Sequence, residues 1–409
     1  MTAYYNGFPQ SDRDEAISMI NLDELEERAK SVMPEGAYYY IASGSENEWT
    51  WRNNTTAFNH FQIVPRALTN MTDPQTDTKF MGMDLKTPIM ISPIACHGIA
   101  HKDAEVATQK GAAAAGALFS SSTYANKSVE DIAAAAPDAP RFFQLYLSKD
   151  WEFNKMVFDA VKKAGYKGIF LTVDALVSGY REANLRTKFA YPVPLDFFTR
   201  YQGGKGEGQT VAQMYASSAQ KIGPDDVRRI KEMSGLPVFV KGVVCAEDAY
   251  LAMGAGADGI YVTNHGGREV DSGPATIDML PEIAKAVNHR VPIIFDSGVR
   301  RGSHVFKALA LGADIVGIGR PYLYALALGG AKGVESVIKQ LNDELIIDMQ
   351  LTGCKTIEDV KHARLTHFNY TADNLKSNTD PSRIKPYPVT KDNQIKEDDS
   401  DAVSGASQA

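Results

Sequence analysis

Cysteine is scarce in this chain. Its three copies, Cys96, Cys245 and Cys354, are odd in number and far apart, and no CxxC pair occurs. That argues against a disulfide framework and against a thiolate zinc cluster, and suits reduced thiols. Excess positive charge is missing too, since the formal net charge is −7 at pH 7. Nothing global therefore draws the protein to nucleic acid or to an anionic membrane. No apolar run approaches the roughly 20 residues needed to cross a bilayer. The opening MTAYYNGFPQSDRDE has no basic segment leading into an apolar one, and the closing SQA carries no peroxisomal address. A cytoplasmic location is the expectation.

What is present is ordinary globular material: 44% hydrophobic and 23% charged residues over 409 positions. That length allows two or three domains. It equally allows one (β/α)8 barrel, which uses about 250 residues or more, with extensions. Residues 1–20 read as a polar, weakly patterned arm. From Leu22 the stretch LDELEERAKSVM predicts a helix, with Asn21 as cap, acids in the first turn and Pro34 beyond. Helices are expected through about Phe58.

The main region, 21–374, then repeats one pattern. Short apolar runs alternate with Ala- and Lys-rich helical stretches. The runs are IMISPIA (89–95), ALFSSS (117–122), RFFQLY (141–146), GIFLTVDA (168–175), PVFVKGV (237–243), GIYVTNHG (259–266), PIIFDSGV (292–299) and DIVGIGR (314–320). Their apolar character suits parallel strands covered by helices outside and packed barrel interior inside. Gly-rich turns such as KKAGYKG, MGAGADG and ALGAD precede strands, as helix ends do. The predicted class is α/β, a (β/α)8 TIM barrel with an N-terminal helical extension. An open doubly wound sheet is the alternative, and eight consecutive units favour closure. Residues 176–222 break the rhythm between the fourth run and its helix. An excursion of that length is expected to be a lid. Residues 375–409 are acidic and Ser-rich towards their end, and are expected to be a tail with a disordered end.

In such a barrel, chemistry collects where strands end. The sixth run ends VTNHGGREVD. His265 has an intrinsic pKa suited to proton abstraction, and Arg268 offers a planar fork for a carboxylate. HGGR alone reads more readily as a loop histidine with a surface arginine. The fourth run ends LTVDALVSGYR, where Asp174 could orient a histidine from another strand and Arg181 follows; a capping Asp and a solvated Arg are the plain alternative. Gln144 and Tyr146 are polar in an apolar run. Lys241 lies inside an apolar strand, where an unpaired charge is costly. DSGVRRG (296–302) and GIGR (317–320) combine glycines and arginines after the last two strands, the customary phosphate position in this fold. GAGADG (254–259) matches a dinucleotide pattern only formally, because it ends a helix and precedes a strand. His97 and His101 have metal-like spacing without a third ligand, so no metal is expected.

Taken together and in order, SPIA, QLY, TVDA, VKG, NHGGR, DSGVRRG and GIGR resemble the FMN-dependent 2-hydroxy-acid oxidases and dehydrogenases, over roughly residues 20–370. The YYYIASGSENEW block and the YPVP and QMYASS segments are similar to the lactate-oxidising bacterial branch. The resemblance implies FMN as cofactor and oxidation of a small (S)-2-hydroxy acid by O2, lactate ahead of glycolate and mandelate. It implies His265 as base with Asp174 bonded to it, and Arg181, Arg268 and Tyr40 on the carboxylate. Tyr146 would touch substrate, with Tyr124, Tyr191 and Tyr215 bordering its side chain. Lys241 would sit beside the flavin pyrimidine. Ser122, Gln144 and Thr172 would bond the ring, Ile94 and Ala95 would lie against it, and Thr263 stands where serine is often seen. Asp296, Gly298, Arg300, Gly319 and Arg320 would bind ribityl and phosphate. A homotetramer is implied. A dehydrogenase with another acceptor, a glycolate-type oxidase and a non-catalytic phosphate-binding barrel are the alternatives.

Overall fold

Alternation within the eight apolar runs decides the architecture. In the computed structural model, which describes residues 2–201 and 206–367, the runs become β1 Ile89–Ile91, β2 Phe119–Ser122, β3 Arg141–Leu145, β4 Ile169–Thr172, β5 Val238–Val243, β6 Gly259–Val262, β7 Ile293–Phe295 and β8 Ile315–Ile318. Neighbours follow chain order from β2 to β8, all parallel, and β8 pairs with β1. A parallel bridge from Met90 to Leu118 joins the two ends. The expected (β/α)8 barrel is formed.

Side chains two residues apart share a face of a strand. Leu118, Phe142, Phe170, Phe239, Tyr261, Ile294 and Ile315 form one buried cluster inside the barrel, with Phe80 and Leu85 of a short hairpin. Phe142 and Phe170 stack at 4.8 Å, and Tyr261 meets Phe170 edge-on at 5.2 Å. Their neighbours Phe143, Leu171, Val240, Ile260 and Phe295 belong to the larger cluster shared with the helices. Burying one such side chain stabilises by roughly 1.5–3 kcal/mol. Two residues beyond the inner set stand Gln144, Thr172, Lys241, Thr263, Asp296 and Gly317. The same period that builds the apolar plug thus lays a polar layer above it.

The helix expected from Leu22 runs Asp23–Lys30, and the Asn21 side chain accepts from Glu24 N at 3.1 Å. Pro34 flanks the next helix, Glu35–Ala42, and helix Trp49–Thr56 follows, as expected up to Phe58. The first twenty residues differ from their reading as an unpatterned arm. Thr2–Tyr5 and Phe8–Ser11 form an antiparallel hairpin. Asn6 and Gly7 have φ of 45° and 85°, and this Asn-Gly pair is the usual signature of a two-residue turn. The excursion at 176–222 contains short helices at Glu182–Arg186, Asp196–Tyr201 and Val211–Ala216, the last opened by a Thr210–Gln213 capping box. GAGADG does join a helix end at Gly254 to the start of β6. Among the described residues no helix is long and apolar enough to cross a membrane. The expectation for 375–409 lies outside the described residues.

Candidate active site

Six of the eight strands stop before their runs do, and the polar run ends stand on the carboxyl rim. There they open into a cavity of about 110 Å³. All the site residues named from sequence line it except Asp174, Gln144 and Thr172, which lie just behind the lining.

The HGG turn after β6 is left-handed throughout, with φ of 57°, 67° and 73° at His265, Gly266 and Gly267. Only glycine fits the last position, because a Cβ there would lie 2.5 Å from the Trp51 nitrogen. His265 itself holds a conformation that a residue with a Cβ rarely adopts, as happens at functional sites. Its Nδ1 meets Asp174 Oδ1 at 3.1 Å, and its Nε2 lies 3.3 Å from the Tyr146 hydroxyl. Gly242, at a bulge in β5, allows Asp174 this close; a Cβ there would stand 2.6 Å from that of Asp174. Burial pushes the Asp174 carboxyl up, but the charges of His265 and Lys241 and the imidazole hydrogen bond prevail and hold it below the usual range. Its Oδ2 is buried and has no hydrogen-bond partner among the described residues.

Above this pair lies a cationic and aromatic wall. The Arg268 guanidinium sits 5.1 Å from the Tyr40 ring and donates to the Ser43 carbonyl at 2.9 Å. Burial, and then neighbouring Arg181, lower its proton affinity. Tyr40 and Tyr191 share a hydroxyl contact of 3.1 Å, and Tyr146 and Tyr215 one of 3.2 Å. Arg181 is more engaged than expected. Its Nε donates to the Arg268 carbonyl at 3.1 Å and a terminal nitrogen to Glu269 Oε1 at 2.5 Å. Burial acts to lower its proton affinity, yet Glu269 outweighs this and holds it above the ordinary range.

The other half of the cavity is a cradle. Gln144 accepts from Ser122 Oγ at 3.0 Å and donates to Thr172 Oγ1 at 2.8 Å, so its amide is oriented from both ends. Lys241 is 3% exposed. Asp296 accepts from Tyr261 at 2.8 Å and from Ser92 at 2.9 Å. Arg300 and Arg320 follow, and the helix Arg320–Thr352 begins here at Gly319 with no side-chain cap. Burial, and next Arg268, lower the proton affinity of Arg320. Among the described residues no carboxylate pairs with Lys241, Arg268, Arg300 or Arg320. Buried cations left in this state fit an anionic ligand. The donor set suits a phosphate at the arginine end. It suits a flat, polar-edged ring beside Ser122, Lys241, Ile94 and Ala95.

Sequence reasoning passed over several lining residues: Ile41, Ser92, Pro93, Gly266, Ser297, Val299 and Gly317. Ser92 and Gly317 were legible from the inward period. Glu269 was missed for another reason: its partner lies 88 residues away. His97 and His101 serve packing, His97 between Thr108 at 2.9 Å and Tyr322 at 3.1 Å, and His101 on the Arg13 carbonyl at 2.9 Å. Cys96 and Cys354 are buried free thiols, and Cys245 is half-buried.

Residues 29–367 match the family described as FMN-dependent dehydrogenase. The chain is 80% identical to an L-lactate oxidase of Lactobacillus jensenii, with both chains fully covered. Among solved structures it is similar to a Pediococcus acidilactici protein described as a lactate oxidase. The TM-score is 0.87 at 52% identity, covering 90% of this chain and 100% of that one. A mandelate oxidase structure matches with a TM-score of 0.79 at 32% identity, over 86% of this chain and 99% of the other.

Proposed function

The chain belongs to the FMN-dependent dehydrogenase family, and from that premise we infer what its cavity does. The protein is an FMN-dependent oxidase that converts L-lactate and O2 to pyruvate and hydrogen peroxide. FMN, when bound, supplies the two-electron acceptor that O2 then reoxidises.

The chain's own residues divide the remaining work. His265 Nε2 takes the proton released by substrate. Asp174 holds the opposite nitrogen, keeps the ring in one tautomer and stabilises the imidazolium that forms. Arg268 and Arg181 bind the carboxylate, with the Tyr40 hydroxyl beside them. The Tyr146 hydroxyl contacts the substrate oxygen. Tyr124, Tyr191 and Tyr215 border the substrate side chain and favour a small one. In the cradle, Ser122, Gln144, Thr172 and Thr263 fix the ring edge, and Ile94 and Ala95 lie along it. Lys241 supplies a buried positive charge there. Asp296, Gly298, Arg300, Gly319 and Arg320 hold the ribityl and phosphate. Residues 21–374 act as one unit, with 1–20 as an arm and 176–222 as a lid that brings Tyr191 and Tyr215 to the site.

The observation that carries this reading is the imidazole contacted by Asp174 at 3.1 Å on one side and Tyr146 at 3.3 Å on the other, in a cavity shared with Arg268. The test is oxygen uptake by the purified protein with L-lactate, glycolate and mandelate. Rapid uptake with lactate, one peroxide per oxygen, and slower rates for the other two are expected. No uptake with lactate contradicts the reading. We also infer a cytoplasmic homotetramer, for which the resemblance is the support. Exposed Val177, Tyr180 and Val270 give such contacts apolar surface.

A further inference from the structure

Glu269 is a carboxylate just behind the wall of a site read as binding carboxylates. It is 8% exposed and adjoins Arg268 in the chain. Oε1 takes the Arg181 guanidinium at 2.5 Å, with the Tyr215 hydroxyl at 3.5 Å. Oε2 accepts from Gly179 N at 2.7 Å, which ties the start of the lid to the same side chain. With Nε on the Arg268 carbonyl, Arg181 keeps one terminal nitrogen without a protein partner among the described residues. Arg181 and Arg268 both line the cavity, but among the described residues only Arg181 is ion-paired with an acid, and Glu269 acts on Arg268 more weakly, through space.

We propose that Glu269 is a positioning residue that sets how tightly the site holds carboxylate anions. It fixes Arg181 in place while cancelling much of that guanidinium's charge. Arg268 is then left as the strong electrostatic anchor. Substrate and product carry the same carboxylate, so attraction common to both lowers KM without helping the chemical step, and slows product release. A fixed negative charge behind one of the two arginines weakens that shared attraction. In the low-dielectric cavity, like charges across a single guanidinium still repel.

The inference rests on the reading of this cavity as a lactate site. Reduction of the wild-type flavin by lactate upholds that reading whichever way the variants behave. The experiment measures dissociation constants of pyruvate and of uncharged pyruvamide for the holoenzyme, from perturbation of the bound flavin's visible spectrum. Glu269→Gln removes the charge. It is expected to tighten pyruvate about tenfold, equivalent to about 1.4 kcal/mol, to lower KM for lactate by a similar factor, and to leave pyruvamide unmoved. Glu269→Asp keeps the charge and is expected to stay within about twofold of wild type for pyruvate. Unchanged or weakened pyruvate binding in Glu269→Gln overturns the proposal, as do equal shifts for pyruvate and pyruvamide. A buried arginine robbed of its partner can destabilise the fold. Should Glu269→Gln not retain flavin, Glu269→Met carries the same expectation. Loss of flavin from both while Glu269→Asp retains it overturns the proposal in favour of a structural pair.

Discussion

Nδ1 of His265 rests 3.1 Å from Oδ1 of Asp174, a contact made between strand ends 91 residues apart in the chain. It leaves Nε2 as the nitrogen that faces the cavity beside Tyr146. The tautomer and direction of the base are thereby set before substrate arrives, which is what a positioned proton acceptor requires.

Replacing that acceptor is expected to separate binding from chemistry. His265→Gln should retain bound FMN and lose about 10³- to 10⁴-fold in turnover, the upper part of the usual range for removal of a general base. Stopped-flow reduction by L-lactate measures it. A variant with near-normal reduction rates removes His265 from the role of base.

Asp174→Asn should lose about 10²-fold in the same rate and change acid stability. The Asp174 carboxyl titrates below the usual range in the folded protein. Its stabilisation is present above the unfolded pKa of about 4 and is lost as pH falls through the lower folded value. Acid unfolding followed by fluorescence should therefore show a shallower loss below about pH 4 in the variant than in wild type.

Arg320 lies buried, close to Arg268, without a carboxylate partner among the described residues. In protein stripped of FMN, that charge is met by the carbonyls of Ile41, Ser43 and Gly266 but by no anion, and an anion that binds there stabilises the fold by mass action. Inorganic phosphate should raise the unfolding temperature of the stripped protein more than chloride at equal ionic strength. In Arg320→Ala the difference should vanish, and FMN affinity should fall about 100-fold. Equal effects of the two salts on wild type contradict this.

His304 extends the argument to the loop beneath the phosphate site. Its Nδ1 accepts from Arg300 N at 3.2 Å and its ring stacks on Phe58 at 4.1 Å. Burial, then Lys307 and Arg300, pull its pKa down to about 3. A base depressed in this way stabilises the fold fully above the unfolded value of about 6.5. The contribution drains as pH falls from there towards 3, by up to about 1.4 kcal/mol per unit. Urea denaturation at stepped pH should show this slope in wild type, and His304→Gln should flatten it.

Much of this was legible because two periods coincide. Residues such as Phe170 and Thr172, or Tyr261 and Thr263, share an inward face, so apolar runs that end in polar residues mark both a barrel and its rim. Fixed-offset glycines, as in NHGGR and DSGVRRG, mark the turns at which backbone comes closest. Glu269 escaped notice because nothing local distinguishes a buried acid from a solvated one; its burial depends on Arg181, far away in the chain. Asn6–Gly7 was the opposite case, since its turn signal was present and general polarity concealed it. The lid helices are too short for periodicity to register. The Thr210–Gln213 capping box was the readable sign of one of them.

The most direct measurement is anaerobic titration of the holoenzyme with L-lactate, followed by admission of air. The visible flavin bands should bleach with one lactate per flavin and return on oxygen, with an equal amount of peroxide formed. Flavin bands that stay unchanged under excess lactate would contradict the account.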